Sequence, residues 1–348
     1  MMEDYSGHII NSGVTVLDAL QALDRLRTKF LDLFVVSAEG KVLGAVTDGD
    51  LRRGLIAGAS LQDKVDKVMN RNFICFDDGA IDISLLKKYK TKGISLIPVL
   101  DKDGRILKVY NIGMLKSILP VDAVLMAGGK GERLRPLTEK TPKPLLPVGE
   151  KAIIDHNVDR LISYGIQHIS VTVNYLKEQI EKHYAIPRNG IQIQTVREPK
   201  YLGTIGSIRF VPRFYNEAVL VMNSDLFTNI DYEDFYLHFL QHDAEMSVAA
   251  VPYNVSIPYG ILDLDGRNIN GLMEKPKYTY YANAGIYLIK RCALEEVPQD
   301  TFFNATDLVE KLIAEGKRVI RYPLNGTWID IGNPQEYQKA QDLVKHIN

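Results

Sequence analysis

The sequence is poor in the residue types that announce several common chemistries. Two cysteines in 348 residues, Cys75 and Cys292, stand far apart and outside any C-x-x-C spacing, which excludes a disulfide framework and a cysteine-built metal or redox motif. Free, mostly buried thiols in a reducing compartment are expected. No apolar run approaches the ~20 residues that span a bilayer, and MMEDYSGHII has neither the basic start nor the apolar stretch of a secretory leader. The expectation is a cytoplasmic protein with no membrane partner. Charge of one sign is missing too: 42 Lys plus Arg face 43 Asp plus Glu, so no bulk field draws in nucleic acid or an anionic surface. His238 and His242 lie one helical turn apart without the glutamate of H-E-x-x-H, which reads as a solvated helix face rather than a zinc site. What is present is 46% hydrophobic content over a length that accommodates two ordinary domains.

The most informative stretch is Met126 to Val148, MAGGKGERLRPLTEKTPKPLLPV. Ala123 to Met126 reads as a buried strand, and Ala127-Gly128-Gly129-Lys130-Gly131 behind it lacks side-chain bulk at three places, so backbone N–H groups are free to close on phosphate oxygens. A Walker loop needs G-x-x-x-x-G-K-[ST], and the dinucleotide fingerprint needs a third glycine where Leu134 stands; neither fits. Arg133, Arg135 and the Thr141-Pro142-Lys143-Pro144 segment follow, and the prolines on both sides of Lys143 limit its backbone and position its ammonium.

This string resembles the signature of the sugar-1-phosphate nucleotidyltransferases, G-G-x-G-[TE]-R-L-x-P-L-T followed by P-K-P, with Glu132 where threonine is commoner. The resemblance implies a three-layer, Rossmann-like α/β domain with a mostly parallel sheet. Apolar strands alternating with helical stretches from 121 to 348 agree: Ala123 to Met126, His168 to Val173, Ala218 to Met222, Ser247 to Val251 and Ala284 to Ile289. The resemblance further implies that a nucleoside triphosphate lies over Ala127, Gly128, Gly129 and Gly131, with Arg133 and Lys143 as the catalytic cations. Glu198-Pro199-Lys200-Tyr201-Leu202-Gly203-Thr204 matches the base-reading loop, with Glu198, Gly203 and Thr204 as nucleotide contacts. A carboxylate accepts both the N1–H and the exocyclic amine of guanine, so Glu198 favours GTP unless it is an ordinary exposed glutamate.

Ala218 to Asp225 is an apolar strand ending in a carboxylate, and Trp328-Ile329-Asp330 offers a second. Each alone is more readily a turn or cap residue, but together behind a phosphate loop Asp225 and Asp330 suit Mg²⁺. Glu274-Lys275-Pro276 resembles the family's E-K-P segment, whose lysine holds the sugar phosphate. Asn283-Ala284-Gly285 and Pro258-Tyr259-Gly260 resemble the stretches beside the sugar. The sugar phosphate is thereby assigned Gly260, Glu274, Lys275, Asn283 and Gly285, and the acceptor is a hexose 1-phosphate.

Residues 1–120 carry a repeat. LFVVSAEGKVLGAVTDGDL (33 to 51) and SLIPVLDKDGRILKVYNIGML (95 to 115) each read as strand, turn, strand, helix start. Amphipathic helices precede them: Val16, Leu20, Leu23, Leu26 and Phe30 behind a Thr15-x-x-Asp18 capping box, and Ile81, Leu85 and Tyr89 before Gly93. The duplication resembles a tandem pair of CBS domains, α+β modules, here at about 9–60 and 61–120, with the transferase domain at 121–348. CBS pairs often bind nucleotides and often dimerise, so a regulatory nucleotide and a homo-oligomer formed through the pair are implied. In the family's G-x-x-T-x-x-D nucleotide pattern, Gly44, Thr47 and Asp50 match; Thr47-x-x-Asp50 is equally a capping box. The second copy has Lys108, Asn111 and Met114 there, and methionine cannot hold ribose hydroxyls. Such a pair joined to this transferase resembles the guanylyltransferases that supply GDP-glucosamine for nonulosonic (legionaminic) acid synthesis in bacteria.

Overall fold

A computed structural model describes residues 5–26, 30–79 and 82–345. These fall into two compact units, one comprising the residues up to Leu119 with Ser163–Gly165, the other Pro120–Ile162 and Ile166 onward.

In the first unit, β1 (Ile9–Asn11) runs parallel to β2 (Asp32–Val36), which pairs antiparallel with β3 (Val42–Thr47). The helix α1 (Val16–Leu26) connects β1 to β2, and α2 (Asp48–Ile56) follows β3. Val16, Ala19 and Leu23 of α1 bury against Leu33, Val35, Val46 and Leu51, as the 3.6-residue spacing requires. The expected Thr15–Asp18 box is present: Thr15 N–H and Oγ1 donate to Asp18, and Asp18 N–H donates back to Thr15 Oγ1. The second copy repeats the pairing with β4 (Phe76–Asp77) parallel to β5 (Leu96–Leu100) and β5 antiparallel to β6 (Ile106–Asn111). Even the register slip recurs, between Val35 and Val36 in one hairpin and Val99 and Leu100 in the other. Phe34, Leu96 and Val109 form a shared core between the two sheets.

Two details of the repeat differ from expectation. The helix α3 spans Ile83–Thr91 and buries Ile83 and Leu86, while Leu85 and Tyr89 are only partly buried; Ile81 lies outside the described residues. Gly93 takes the left-handed conformation after it, as a helix stop needs. No helix follows β6. Asn111 stands where Thr47 does and accepts the Met114 N–H, but Met114, at the position of Asp50, has no oxygen to return the bond. Without a reciprocal box the chain turns away.

The second unit is built on a seven-stranded sheet, joined by the short hairpin β8 (Pro147–Val148) and β9 (Lys151–Ala152). The strands are β7 (Val121–Ala127), β10 (Ile169–Val173), β11 (Ile193–Arg197), β12 (Ala218–Asn223), β14 (Met246–Ser256), β17 (Lys277–Lys290) and β18 (Val319–Pro323), in the order β11-β10-β7-β12-β17-β14-β18. Four neighbouring pairs are parallel; only β17 runs against its two neighbours. All five strands read from the sequence are present. One face buries Val124, Val219, Val221 and Ile289 against α7 (Ala305–Ala314), through Leu308 and Leu312. The helices α4 (Ile153–Ser163), α5 (Lys177–His183) and α6 (Tyr232–Gln241) each bury part of their surface, through Val158 and Leu161, Ile180, and Phe235 and Phe239 respectively. Around Leu134, Leu146 and Ile153 a separate core takes in Ala340 and Val344 of α8 (Pro334–Lys345). Among the described residues no helix is long and apolar enough to cross a membrane.

Two small pairs complete the unit: β13 (Leu226–Thr228) with β19 (Trp328–Asp330), and β15 (Ile261–Asp265) with β16 (Asn268–Met273). The thiols are free, but Cys292 is exposed and Cys75 half-buried, a correction to the expected burial. Cys292 sits on the 3₁₀ turn (Arg291–Glu296) that follows β17.

Candidate active site

Parallel strands aim their carboxyl ends, and the loops that follow, at one edge of a sheet. Here β7 and β12 are adjacent, with Met222 opposite Leu125 and Asn223 opposite Met126, so the glycine loop and Asn223-Ser224-Asp225 leave the sheet side by side. Ser224 fastens them, its N–H and Oγ both donating to Met126 O. An open cleft of about 430 Å³ lies there, lined by Ala127, Gly128, Gly129, Gly131, Arg133, Lys143, Glu198, Gly203, Thr204 and Asp225 among the residues expected from sequence.

The glycines serve different ends. Gly131 is left-handed, and a Cβ on it would fall 3.0 Å from Lys143 Cβ and Thr138 Cγ2. A Cβ on Gly128 would fall 2.5 Å from Glu198 Oε1, whereas one on Gly129 would meet nothing within 4 Å. Gly129 is therefore the glycine that leaves space open. Gly203, also left-handed, packs on the Phe303 carbonyl, and Thr204 Oγ1 accepts the Ala305 N–H at 2.9 Å.

Lys143 opens a 3₁₀ turn after Pro142 and is 8% exposed. Its ammonium is paired with Asp225 Oδ2, while Asp225 Oδ1 is buried with no hydrogen-bond partner among the described residues. Pairing of β13 with β19 sets Leu226 opposite Asp330 and so brings the two carboxylates together. Burial pushes the Asp330 carboxyl up, the Asp225 charge pushes it further, and the Lys143 and Arg133 charges oppose the rise. These four side chains therefore share one electrostatic neighbourhood. Two close carboxylates, one with a buried unpartnered oxygen, form a donor set that fits a hard divalent cation such as Mg²⁺.

Glu198 is 3% exposed, which removes the ordinary exposed reading. Burial raises its pKa; Ser207, Leu202 N–H, Thr172 and Asn174 surround it and favour the ionised form, but Oε2 and the Ser207 Oγ are left without well-formed hydrogen bonds. A buried carboxylate facing a cleft with an unused oxygen is equipped to accept donors from a ligand.

The residues expected on the sugar-phosphate side separate into two groups. Asn283 and Gly285 stand near the cleft: Gly285 N–H donates to Asn283 Oδ1, and a Cβ on left-handed Gly285 would fall 2.6 Å from Asn223 Nδ2. Gly260, Glu274 and Lys275 do not line it. They occupy an exposed projection, where Gly260 approaches Glu274 Oε2 and Lys275 is 3.9 Å from Glu274. Asn223, Tyr201, Lys130 and Gly332 line the cleft but were not singled out from sequence. Gly332 was findable, two residues past Asp330: a Cβ there would fall 3.1 Å from the Arg133 guanidinium.

In the first unit, Thr47 and Asp50 form the capping box of α2. Thr47 N–H and Oγ1 donate to Asp50 Oδ2, Asp50 N–H returns to Thr47 Oγ1, and Arg53 pairs with Asp50 Oδ1 at 2.6 Å.

A family model described as Nucleotidyl transferase matches residues 122–346, and one described as CBS domain matches residues 8–57. The Mannose-1-phosphate guanylyltransferase catalytic subunit beta of Danio rerio is 29% identical over 224 residues, covering 62% of this chain and 62% of that protein. The Bifunctional protein GlmU of Methanocaldococcus jannaschii is 31% identical over 236 residues, covering 66% of this chain and 55% of that protein. The chain thus spans less than two thirds of the length of these relatives. Among solved structures, HddC from Yersinia pseudotuberculosis matches with a TM-score of 0.50 at 26% identity, over 64% of this chain and 99% of that one, and has also been solved with GMP-PN.

Proposed function

The chain belongs to the nucleotidyl transferase family, and we propose that it transfers GMP from GTP to glucosamine 1-phosphate, releasing pyrophosphate. The observation that carries this reading is the pair of buried Lys143 with half-buried Asp225, with Asp330 and Arg133 in its field, directly behind the glycine loop.

An oxygen of the sugar phosphate attacks the α-phosphorus in line with departing pyrophosphate, so the protein's work is positioning and neutralising charge. Arg133 holds the outer phosphates. Lys143, held by its turn and by Asp225, meets the charge that grows around the α-phosphate. Lys275 orients the attacking phosphate. Asp225 and Asp330 would hold Mg²⁺, which when bound supplies electrostatic stabilisation to phosphate oxygens. The buried Glu198 accepts the two adjacent donors of guanine; the solved complex of HddC with GMP-PN and the guanylyltransferase names among the relatives support that base. Glucosamine rests on the resemblance of the CBS-plus-transferase combination. Mannose 1-phosphate is the second reading, favoured by the name of the Danio rerio relative.

Pyrophosphate release, measured with GTP, UTP, dTTP and ATP against a panel of hexose 1-phosphates, tests all of this. Glucosamine 1-phosphate with GTP is expected to give the highest kcat/KM. A maximum with mannose 1-phosphate moves the assignment to the second reading, and no release with any pair leaves a nucleotide-sensing regulatory protein.

A further inference from the structure

Beyond Val251 the strands β14 and β17 leave the sheet as a two-stranded ribbon, in continuous register from Ala250 opposite Asn283 to Ser256 opposite Lys277. The hairpin β15–β16 extends it, closed at its base by Ile257 N–H donating to Pro276 O. Twelve large apolar or aromatic side chains between Tyr253 and Tyr281 are exposed, among them Leu264 at 59%, Ile269 at 62% and Leu272 at 65%. Strand residues normally alternate between a buried and a solvated face; here both faces are exposed along the ribbon. Both edges are open as well, since pairing of β14 with β18 ends at Ala250 and pairing of β17 with β12 at Ile286. Open apolar edges of this kind invite pairing with another chain.

Twelve half-exposed side chains of this size amount to on the order of 1,000 Å². That exceeds the ~300–600 Å² of the largest patch on an ordinary monomer and reaches the ~800 Å² per partner of a stable complex. The ribbon leaves the same edge of the sheet as the cleft, because β17 reaches that edge at Gly285 beside Asn223. At ~3.3 Å per residue, Lys277 stands roughly 25 Å further along the strand from Gly285, and a lysine side chain spans only a fraction of that. Lys275, exposed beside Glu274, is not among the residues that line its own cleft.

We propose that two copies of this chain pair arm against arm through residues 252–281, a contact that carries the Lys275 of each to the partner's cleft. A second copy is the occupant that satisfies everything at once. It offers an equal apolar area, an isologous two-fold contact leaves no arm uncovered, and each cleft receives the cation it lacks. The pairing itself is independent of the proposed reaction; delivery of Lys275 rests on it.

Sedimentation velocity of the full chain against the double variant Leu264→Asp, Leu272→Asp decides the pairing. A dimeric parent and a folded monomeric variant are expected; a monomeric parent, or a variant that stays dimeric, overturns it. Delivery is tested by co-expressing Lys143→Ala and Lys275→Ala chains under different tags and isolating the mixed dimer. One site of two is then intact, so about half the parent activity is expected where each homodimer is nearly inactive. A mixed dimer no more active than the homodimers, beside an active parent, overturns delivery. A parent inactive with every substrate pair refutes the reaction and leaves the sedimentation result standing.

Discussion

Lys143 combines burial, a turn fixed by Pro142 and an ion pair with Asp225, so its ammonium is already oriented for the role proposed for it. Replacing it by alanine removes stabilisation present mainly in the transition state and should lower kcat about 10²- to 10³-fold with a small change in KM for GTP. Steady-state kinetics of Lys143→Ala settles this, and an unaltered kcat would remove the lysine from the mechanism. Glu198 gives a prediction with a sign. Burial holds its proton to higher pH than an ordinary glutamate, and the proposed contact with guanine needs the ionised form. The KM for GTP should therefore fall as pH rises through that raised value, and Glu198→Gln should flatten the profile while lowering kcat/KM for GTP roughly 10- to 100-fold. Stability responds in the opposite direction: the folded state binds this proton more tightly, so the contribution is full below the unfolded carboxylate value and lost as pH climbs through the folded one.

The helix α2 is started by Thr47 and Asp50, whose oxygens are already used by each other, by the backbone and by Arg53. Thr47→Ala should destabilise the first unit by about 1 kcal/mol, and chemical denaturation followed by circular dichroism checks this. A nucleotide that needed Thr47 and Asp50 would have to break the cap, so the same substitution separates a structural from a binding role by its effect on any nucleotide-induced stabilisation. Such elements also show what the sequence discloses. Thr15–Asp18 and Thr47–Asp50 were legible because a capping box is local, and the parallel strands because unbroken apolar runs mean burial on both faces. The missing helix after Asn111 was hidden by the echo between the two copies, although Met114 at the position of Asp50 was the warning. Clustering of the glycine loop, Lys143, Asp225 and Glu198 followed from motifs at strand ends. The place of Gly260, Glu274 and Lys275 did not, because strand length and the direction in which a ribbon leaves its sheet are set by tertiary pairing rather than by the residues at its tip.

Two units with separate cores, one around Val16, Leu33 and Leu51 and the other around Val219, Ile289 and Leu308, have separate reasons to melt. A ligand that binds only the native transferase unit stabilises that unit alone, by RT ln(1 + [L]/Kd), about 2.7 kcal/mol at a hundred times Kd. For a unit of this size that corresponds to an upward shift of roughly 5–10 °C. Differential scanning calorimetry of the full chain with GTP and Mg²⁺ should therefore move one transition and leave the other in place. The moving transition should be the one that Gly128→Ala lowers, since a methyl there lands on the Glu198 carboxylate, and the stationary one should be that lowered by Thr47→Ala. If GTP moved only the transition sensitive to Thr47→Ala, the nucleotide site would lie in the repeat, and the cleft behind the glycine loop would lose its assignment.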